Sequence, residues 1–169
     1  MLRFCVDIAE ALREVPPRVT FLVKMLLEGI PPLTGEKAHG RAGSVILVDD
    51  DADTTEMYRI GLEAAGYQVR VAHDGDSLFH ALAVAIPDII VLDWHLPGQK
   101  GDEVMHRMRL DPRTRSLPVF MLSNYPTPKD GAIDRAFLAG AVAWLEKVKT
   151  PPARLAETLG EALKAAVDR

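Results

Sequence analysis

The sequence predicts an α/β protein, (βα)5, in which five strands of a central parallel sheet alternate with five helices. Three observations carry that prediction. Short apolar runs recur through residues 44–169, each followed by a stretch of helical spacing. The runs are aliphatic or β-branched with little polar alternation, as strands covered on both faces require. Capping and turn residues punctuate the intervals.

The first strand is predicted at Val45–Val48, and a helix follows over about 53–65, with Gly66 placed to serve as its C′ residue. A second strand, Val69–Ala72, precedes a helix over about 76–86, where Leu78, Phe79, Leu82, Val84 and Ile86 read as core and surface of one helix. The third strand is Ile89–Leu92 and its helix spans about 102–110; the fourth is Val119–Leu122, with a helix over about 129–139. The fifth, Ala141–Leu145, leads to a helix over about 152–167 that repeats Leu155, Leu159, Leu163 and Val167 on one face. Thr127-Pro128 and Thr150-Pro151 each offer an N-cap followed by proline at N1. Right-handed crossovers then place helices on both sides of the sheet.

The whole chain has 169 residues, enough for one domain with an appendage. Hydrophobic residues make up 48% and charged ones 26%, which is globular composition. A formal net charge of −4 gives no basic footprint, so direct nucleic-acid binding is not expected. The single cysteine, Cys5, excludes an internal disulfide framework and suits a reducing compartment. No stretch approaches a membrane span, since the greasiest run, Phe21 to Leu27, is short and contains Lys24. Asp7, Glu10, Arg13 and Glu14 fall where a secretory signal would be apolar, so a cytoplasmic protein with no membrane partner is expected.

Residues 1–43 stand apart. They carry six Lys+Arg against five Asp+Glu, leaving 14 against 19 in the remainder, where the acidity therefore sits. Cys5, Ile8, Ala9 and Leu12 recur at helical spacing, as do Val19, Leu22, Val23, Leu26 and Ile30 beyond Pro16-Pro17. Pro31-Pro32 and the run Thr34 to Ser44 read as a linker. The segment is a floppy extension, the product of an upstream start codon wrongly chosen, or a helical hairpin that docks or forms a homodimer.

The residues that follow the apolar runs carry the chemistry. Asp49 and Asp50 come after the first run, Asp93 after the third, Ser123 after the fourth and Lys147 beyond the fifth. In an open parallel sheet, ligands bind outside the carboxyl ends of the strands, so these side chains are expected to share one crevice. Three carboxylates together repel unless a cation neutralises them, which points to a hard divalent ion, Mg²⁺ or Mn²⁺. With that ion and the Lys147 ammonium on either side, the Asp93 carboxylate is equipped to attack phosphorus, and Ser123 to donate to a phosphoryl oxygen. Asp51 and Asp53 read instead as helix-start acids. The histidines His39, His73, His80, His95 and His106 show no zinc-site spacing.

VILVDDD at 45–51, AHDG at 72–75, IIVLDWHLPGQKG at 89–101, PVFMLSN at 118–124 and AGAVAWLEK at 139–147 together resemble the receiver domain of two-component response regulators. The spacing of Asp93, Pro97 and Gly101 is the specific part, and the resemblance covers about residues 44–168. It implies a flavodoxin-like sheet with strand order 2-1-3-4-5, a receiver domain over 44–169 and an N-terminal extension over 1–43. By the same resemblance Asp93 is the phosphoacceptor, Asp50 a direct Mg²⁺ ligand and Asp49 one acting largely through water. The backbone carbonyl of His95 completes the metal ligands, Ser123 is the switch hydroxyl, Lys147 the phosphate-contacting lysine and Trp144 the aromatic that reports the switch.

The sequence also departs from that pattern. Val148 stands where the family usually has proline, often in a cis peptide; a cis bond before valine would cost about 2.5–4 kcal/mol, so a trans bond and a shifted loop are expected. Asn124 replaces a small residue, which narrows access to Asp93, and Trp144 is bulkier than the usual Tyr or Phe. His95 and Tyr125 flank the crevice and read as solvent-facing.

The function implied is that of a phosphorelay receiver. A sensor histidine kinase or phosphotransfer protein donates a phosphoryl group to Asp93, the domain catalyses its own loading and unloading without being a dedicated enzyme, and a downstream protein reads the change. No output domain is expected beyond the last helix, so a protein contact is the expected output, unless residues 1–43 serve as an unusual effector. Two rivals remain: a receiver-like interaction module independent of phosphorylation, and an aspartyl phosphatase of the haloacid dehalogenase type. For the latter, Asp51, Asp53 and Thr55 fit D-x-D-x-[TV], but the 22 residues after Lys147 hold no counterpart of its second acidic motif.

Overall fold

The computed structural model describes residues 42–124 and 131–167. The two helices expected before Pro31, the linker from Thr34 up to residue 41, Tyr125 and the Thr127-Pro128 cap lie outside the described residues; Ser44, expected as the linker's last residue, instead opens the first strand.

Seven strands, five α-helices and one 3₁₀ turn make up the described chain: β1 (Ser44–Val48), α1 (Ala52–Ala64), β2 (Gln68–Ala72), α2 (Gly75–Val84), β3 (Ile89–Asp93), β4 (His95–Leu96), β5 (Gln99–Lys100), α3 (Gly101–Leu110), β6 (Val119–Ser123), α4 (Ala132–Leu138), β7 (Ala143–Glu146), the turn Lys147–Lys149, and α5 (Pro152–Val167). Five strands form one parallel sheet in the order β2-β1-β3-β6-β7, which is 2-1-3-4-5 once the two short strands are set aside. The predicted fold and strand order therefore stand.

The central strands β3 and β6 are buried at every position, because helices cover both faces. On one face Ile46, Val48, Ile90, Leu92, Val119 and Met121 meet Leu78 and Leu82 of α2, Val104, Met105 and Met108 of α3, and Ala132 and Ala136 of α4. Side chains alternate along a strand, so Val45, Leu47, Val91, Phe120 and Leu122 serve the opposite face, where α1 and α5 lie against each other. Each fully buried large aliphatic side chain contributes about 1.5–3 kcal/mol by leaving water.

Local chemistry sets the helix limits. Asp51 caps α1 by accepting from the Thr54 N–H at 2.7 Å, and Asp53 lies in the first turn, as expected of helix-start acids. Gly66, at φ +94°, ends α1 as the predicted C′ residue. Asp74 and Ser77 cap α2 reciprocally, at 2.7 Å and 3.1 Å.

Two boundaries and one cap differ from the sequence reading. Helix α2 stops at Val84, leaving Ile86 outside it, because Ala85 is extended. Strand β7 starts at Ala143, although Val142 N–H already donates to the Val119 carbonyl at 2.8 Å. Helix α5 spans Pro152–Val167 as predicted, but its cap lies one residue further on than Thr150-Pro151: Pro151 supplies the first accepting carbonyl, to Leu155 N–H at 3.0 Å, and Pro152 takes N1. Among the described residues no peptide bond is cis, so the Lys147–Val148 bond is trans as expected. None of the described helices is long and apolar enough to cross a membrane.

Candidate functional site

Strands β1 and β3 are neighbours, with Val48 beside Leu92, so the residues leaving their carboxyl ends emerge side by side. Carboxylate oxygens of Asp49, Asp50 and Asp93 all lie within 4.8 Å of one another. Asp49 and Asp93 are buried, 1% and 6% exposed, whereas Asp50 is exposed. Lys147 enters from the end of β7. Its Nζ stands 2.5 Å from Asp49 Oδ2 and 3.1 Å from Asp93 Oδ2. Of the five residues that sequence reasoning placed in one crevice, these four meet there.

The partners of each group are specific. Asp49 Oδ1 accepts from the Asp51 N–H at 3.1 Å, so with Lys147 on Oδ2 both of its oxygens are engaged. Asp93 accepts from the His95 backbone N–H as well as from Lys147. Burial pushes the Asp93 carboxyl above the usual carboxylate range; Lys147 opposes that and Asp49 adds to it. Burial alone would lower the Lys147 ammonium, but its contacts with Asp49 and Asp93 outweigh it and hold the amine protonated.

Ser123 is fully buried at the end of β6, one residue beyond Leu122, the partner of Asp93 in the sheet register. His95 opens β4 with its side chain exposed, and Asn124 is exposed too. Trp144 is half-buried in β7 beside Met121 and packs on the core.

The connection after Asp93 is a small hairpin, β4 against β5, turning at Pro97 and Gly98, the latter at φ +76°. Gly101 closes it by donating to the Trp94 carbonyl at 2.8 Å. A Cβ at Gly101 would stand 3.1 Å from the Asp93 carbonyl oxygen, so the third element of the Asp93, Pro97, Gly101 spacing keeps the backbone clear behind the carboxylate.

Several contributors escaped the sequence reading. Trp94 is 1% exposed, lies 5.3 Å from the Trp144 ring and has the Arg135 guanidinium 5.4 Å away. The alternation Ile90, Leu92, Trp94 carried that signal. His73 Nδ1 lies 3.2 Å from the Asp49 carbonyl oxygen, and Tyr58 reaches the turn that bears Lys147. A lone polar group in a loop or a helix gives no periodic signal that could have found either.

Asp51, the nucleophile required by the phosphatase reading, spends its carboxylate on the α1 cap. The three remaining acids fit a divalent ion: two of them are buried, all offer hard oxygens, and one nearby amine shares the charge of two carboxylates.

An acidic crevice at the carboxyl ends of a five-stranded parallel sheet defines a flavodoxin-like α/β protein whose chemistry sits at the strand ends. The response regulator receiver domain family matches residues 45–159, and the chain belongs to that family. It is 36% identical over 80 residues to the phosphate regulon transcriptional regulatory protein PhoB of Pseudomonas aeruginosa, covering 47% of this chain and 35% of that protein. It is 33% identical over 123 residues to the probable transcriptional regulatory protein TcrX of Mycobacterium tuberculosis, covering 73% of this chain and 49% of that one. The chain thus spans less than half the length of these relatives. Among solved structures, the chemotaxis response regulator CheY4 of Vibrio cholerae matches with TM-score 0.60 and 29% identity, over 72% of this chain and 95% of that one. The Mn²⁺-bound form of response regulator Rcp1 shares the fold, with TM-score 0.59 and 18% identity over 70% and 90% of the two chains.

Proposed function

We propose that residues 44–169 form a receiver that accepts a phosphoryl group on Asp93, with residues 1–43 an extension to it. One observation carries the reading: Lys147 stands between Asp49 and Asp93 while Asp50 completes a triad of acids within 4.8 Å. Asp49, Asp50, Asp93 and the His95 carbonyl would hold Mg²⁺ or Mn²⁺, and the manganese form of Rcp1 supports that choice. When bound, such an ion supplies positive charge against a transferring phosphoryl group.

The chain's own groups then have distinct tasks. An Asp93 carboxylate oxygen attacks phosphorus as the P–N bond of a donor phosphohistidine breaks, and the imidazole departs with the bonding pair and takes up a proton. Lys147 balances charge on the phosphoryl oxygens and holds its proton through the transfer. Ser123 donates its hydroxyl hydrogen to one of those oxygens. Trp144, already against Trp94, reports the shift at the ends of β6 and β7. The donor is a sensor histidine kinase or phosphotransfer protein. The reader is a downstream protein at the α4, β7 and α5 surface, where Leu138 is 87% exposed.

The test is incubation with Mg²⁺ and acetyl phosphate, read by intact mass. Wild type gains one acid-labile phosphoryl group, Asp93→Asn gains none, and Asp51→Asn still labels. No labelling of wild type by this donor or by a phosphohistidine partner would overturn the proposal in favour of a phosphorylation-independent module. Label lost only in Asp51→Asn, with steady turnover, would favour the phosphatase.

A further inference from the structure

Tyr58 is fully buried in α1, and its hydroxyl leaves that helix to meet the segment that carries Lys147. It donates to the Thr150 carbonyl at 2.8 Å, with the Lys147 carbonyl 3.4 Å away as a weaker second acceptor. These carbonyls belong to the two ends of the turn that follows β7. The turn itself is closed by one long bond, Thr150 N–H to the Lys147 carbonyl at 3.3 Å. Its middle residue, Val148, is 82% exposed, and Lys149 pairs with Glu146 on the surface at 2.8 Å. No apolar side chain between Lys147 and Thr150 is buried to anchor it.

Helix α1 grips the same segment a second time, one turn further on. A Cβ on Gly61 would collide with the ring of Pro152, so the missing side chain is what lets α1 close on the start of α5. A buried phenol needs an acceptor, and here burial and the nearby Asp49 push its pKa up to about 12, which keeps it a donor at neutral pH.

We infer that Tyr58 is a positioning residue for Lys147: its hydroxyl pins both ends of the 147–150 turn from α1 and thereby fixes where the ammonium stands between Asp49 and Asp93. This role rests on the reading of Lys147 as the amine that balances charge on a transferring phosphoryl group, since Tyr58 touches no reacting atom.

Tyr58→Phe keeps the ring and removes only the hydroxyl. Tyr67→Phe is the matched control: it removes another buried tyrosine hydroxyl, one that donates at 2.9 Å to Ala156 of α5 and not to the lysine turn. In the full chain, brief acylation with acetic anhydride followed by peptide mass spectrometry compares Lys147, whose side chain is 9% exposed, with Lys149, 67% exposed. Tyr58→Phe is expected to raise the Lys147 to Lys149 labelling ratio about 5-fold, the scale of one lost hydrogen bond, and Tyr67→Phe to leave it unchanged. Acetyl phosphate labelling of Asp93 slows by a similar factor in Tyr58→Phe, and adds no loss when Lys147→Ala is already present, because nothing is left to position.

An unchanged labelling ratio in Tyr58→Phe, or an equal rise in Tyr67→Phe, overturns the positioning role whatever the phosphorylation rate does. Additive losses in the double variant overturn it as well. A raised ratio in Tyr58→Phe alongside a wild type that never labels at Asp93 overturns the receiver chemistry and leaves the positioning role standing.

Discussion

Lys147 Nζ lies 2.5 Å from Asp49 Oδ2, so a residue leaving the edge strand β7 pairs with one leaving β1, three places away across the sheet. The ammonium reaches over the ends of β6 and β3 to do so and meets Asp93 on the way, at 3.1 Å. Two buried acids thus share one cation whose side chain is largely covered, which leaves an excess of negative charge beside the exposed Asp50. That excess is what a divalent ion would neutralise.

Removing the cation should expose the imbalance. Taking one partner from a buried pair costs about 3–5 kcal/mol, because the remaining charge is left without compensation. Lys147→Ala is therefore expected to lower the metal-free stability by that order, measured by urea unfolding, and added Mg²⁺ should restore part of the loss. Wild-type stability in Lys147→Ala without metal would mean that the ion pairs contribute nothing.

The pH dependence of metal-free stability follows from Asp93, whose carboxyl burial raises above its ordinary value of 3.8. A group with a raised folded-state pKa contributes stability that is fully present below the unfolded pKa and is lost as pH climbs through the folded one. Asp93→Asn lacks that loss. The melting temperature of Asp93→Asn is expected to match wild type near pH 4 and to exceed it increasingly towards neutrality, in chelator and by calorimetry. A gap of opposite sign would mean that Lys147 overcomes burial and depresses the carboxyl.

The main strands were legible because helices cover both sheet faces, so that β3 reads as an unbroken apolar run ending in Asp93. The crevice was legible for the same reason: a charged residue directly after such a run lies at the sheet's carboxyl edge. What lay hidden is tertiary. The two-residue strands β4 and β5 are too short for any period. Arg109 looks like a solvent-facing residue of α3, yet it donates to the carbonyls of Thr114, Leu117, Ala139 and Gly140 and ties α3 to the end of α4. Nor does anything in a tyrosine after Glu56-Met57 say that its hydroxyl crosses to residue 150.

Metal dependence separates Asp50 from Asp51, which are adjacent but differently employed. At Mg²⁺ a hundredfold above its dissociation constant, a ligand of the folded state alone stabilises by about 2.7 kcal/mol, or roughly 5–10 °C in a domain of this size. Wild type is expected to show that rise in melting temperature and Asp50→Asn to lose most of it. Asp51→Ala should melt lower with and without Mg²⁺, by about 1 kcal/mol for the lost cap, while keeping the rise. Differential scanning fluorimetry across a Mg²⁺ titration reads all three, and an equal rise in Asp50→Asn would remove Asp50 from the ligand set.

Glycine 101 acts through space and glycine 98 through conformation, and alanine should tell them apart. At Gly101 a Cβ would meet Met121 Cε at 2.5 Å and the Asp93 carbonyl oxygen at 3.1 Å; the methionine can move aside, but the backbone behind the Asp93 carboxylate cannot do so without carrying Asp93 with it. Gly101→Ala is therefore expected to cost roughly 1–3 kcal/mol by overpacking and to slow acetyl phosphate labelling. At Gly98 nothing lies within 4 Å of the added carbon, so only the φ of +76° resists it. That strain amounts to about 1–2 kcal/mol and leaves Asp93 where it is, so Gly98→Ala should lose stability but label at the wild-type rate. Urea unfolding and labelling rates for both variants check this, and equal slowing in the two would mean that the hairpin as a whole, rather than the space behind Asp93, sets the position of the carboxylate.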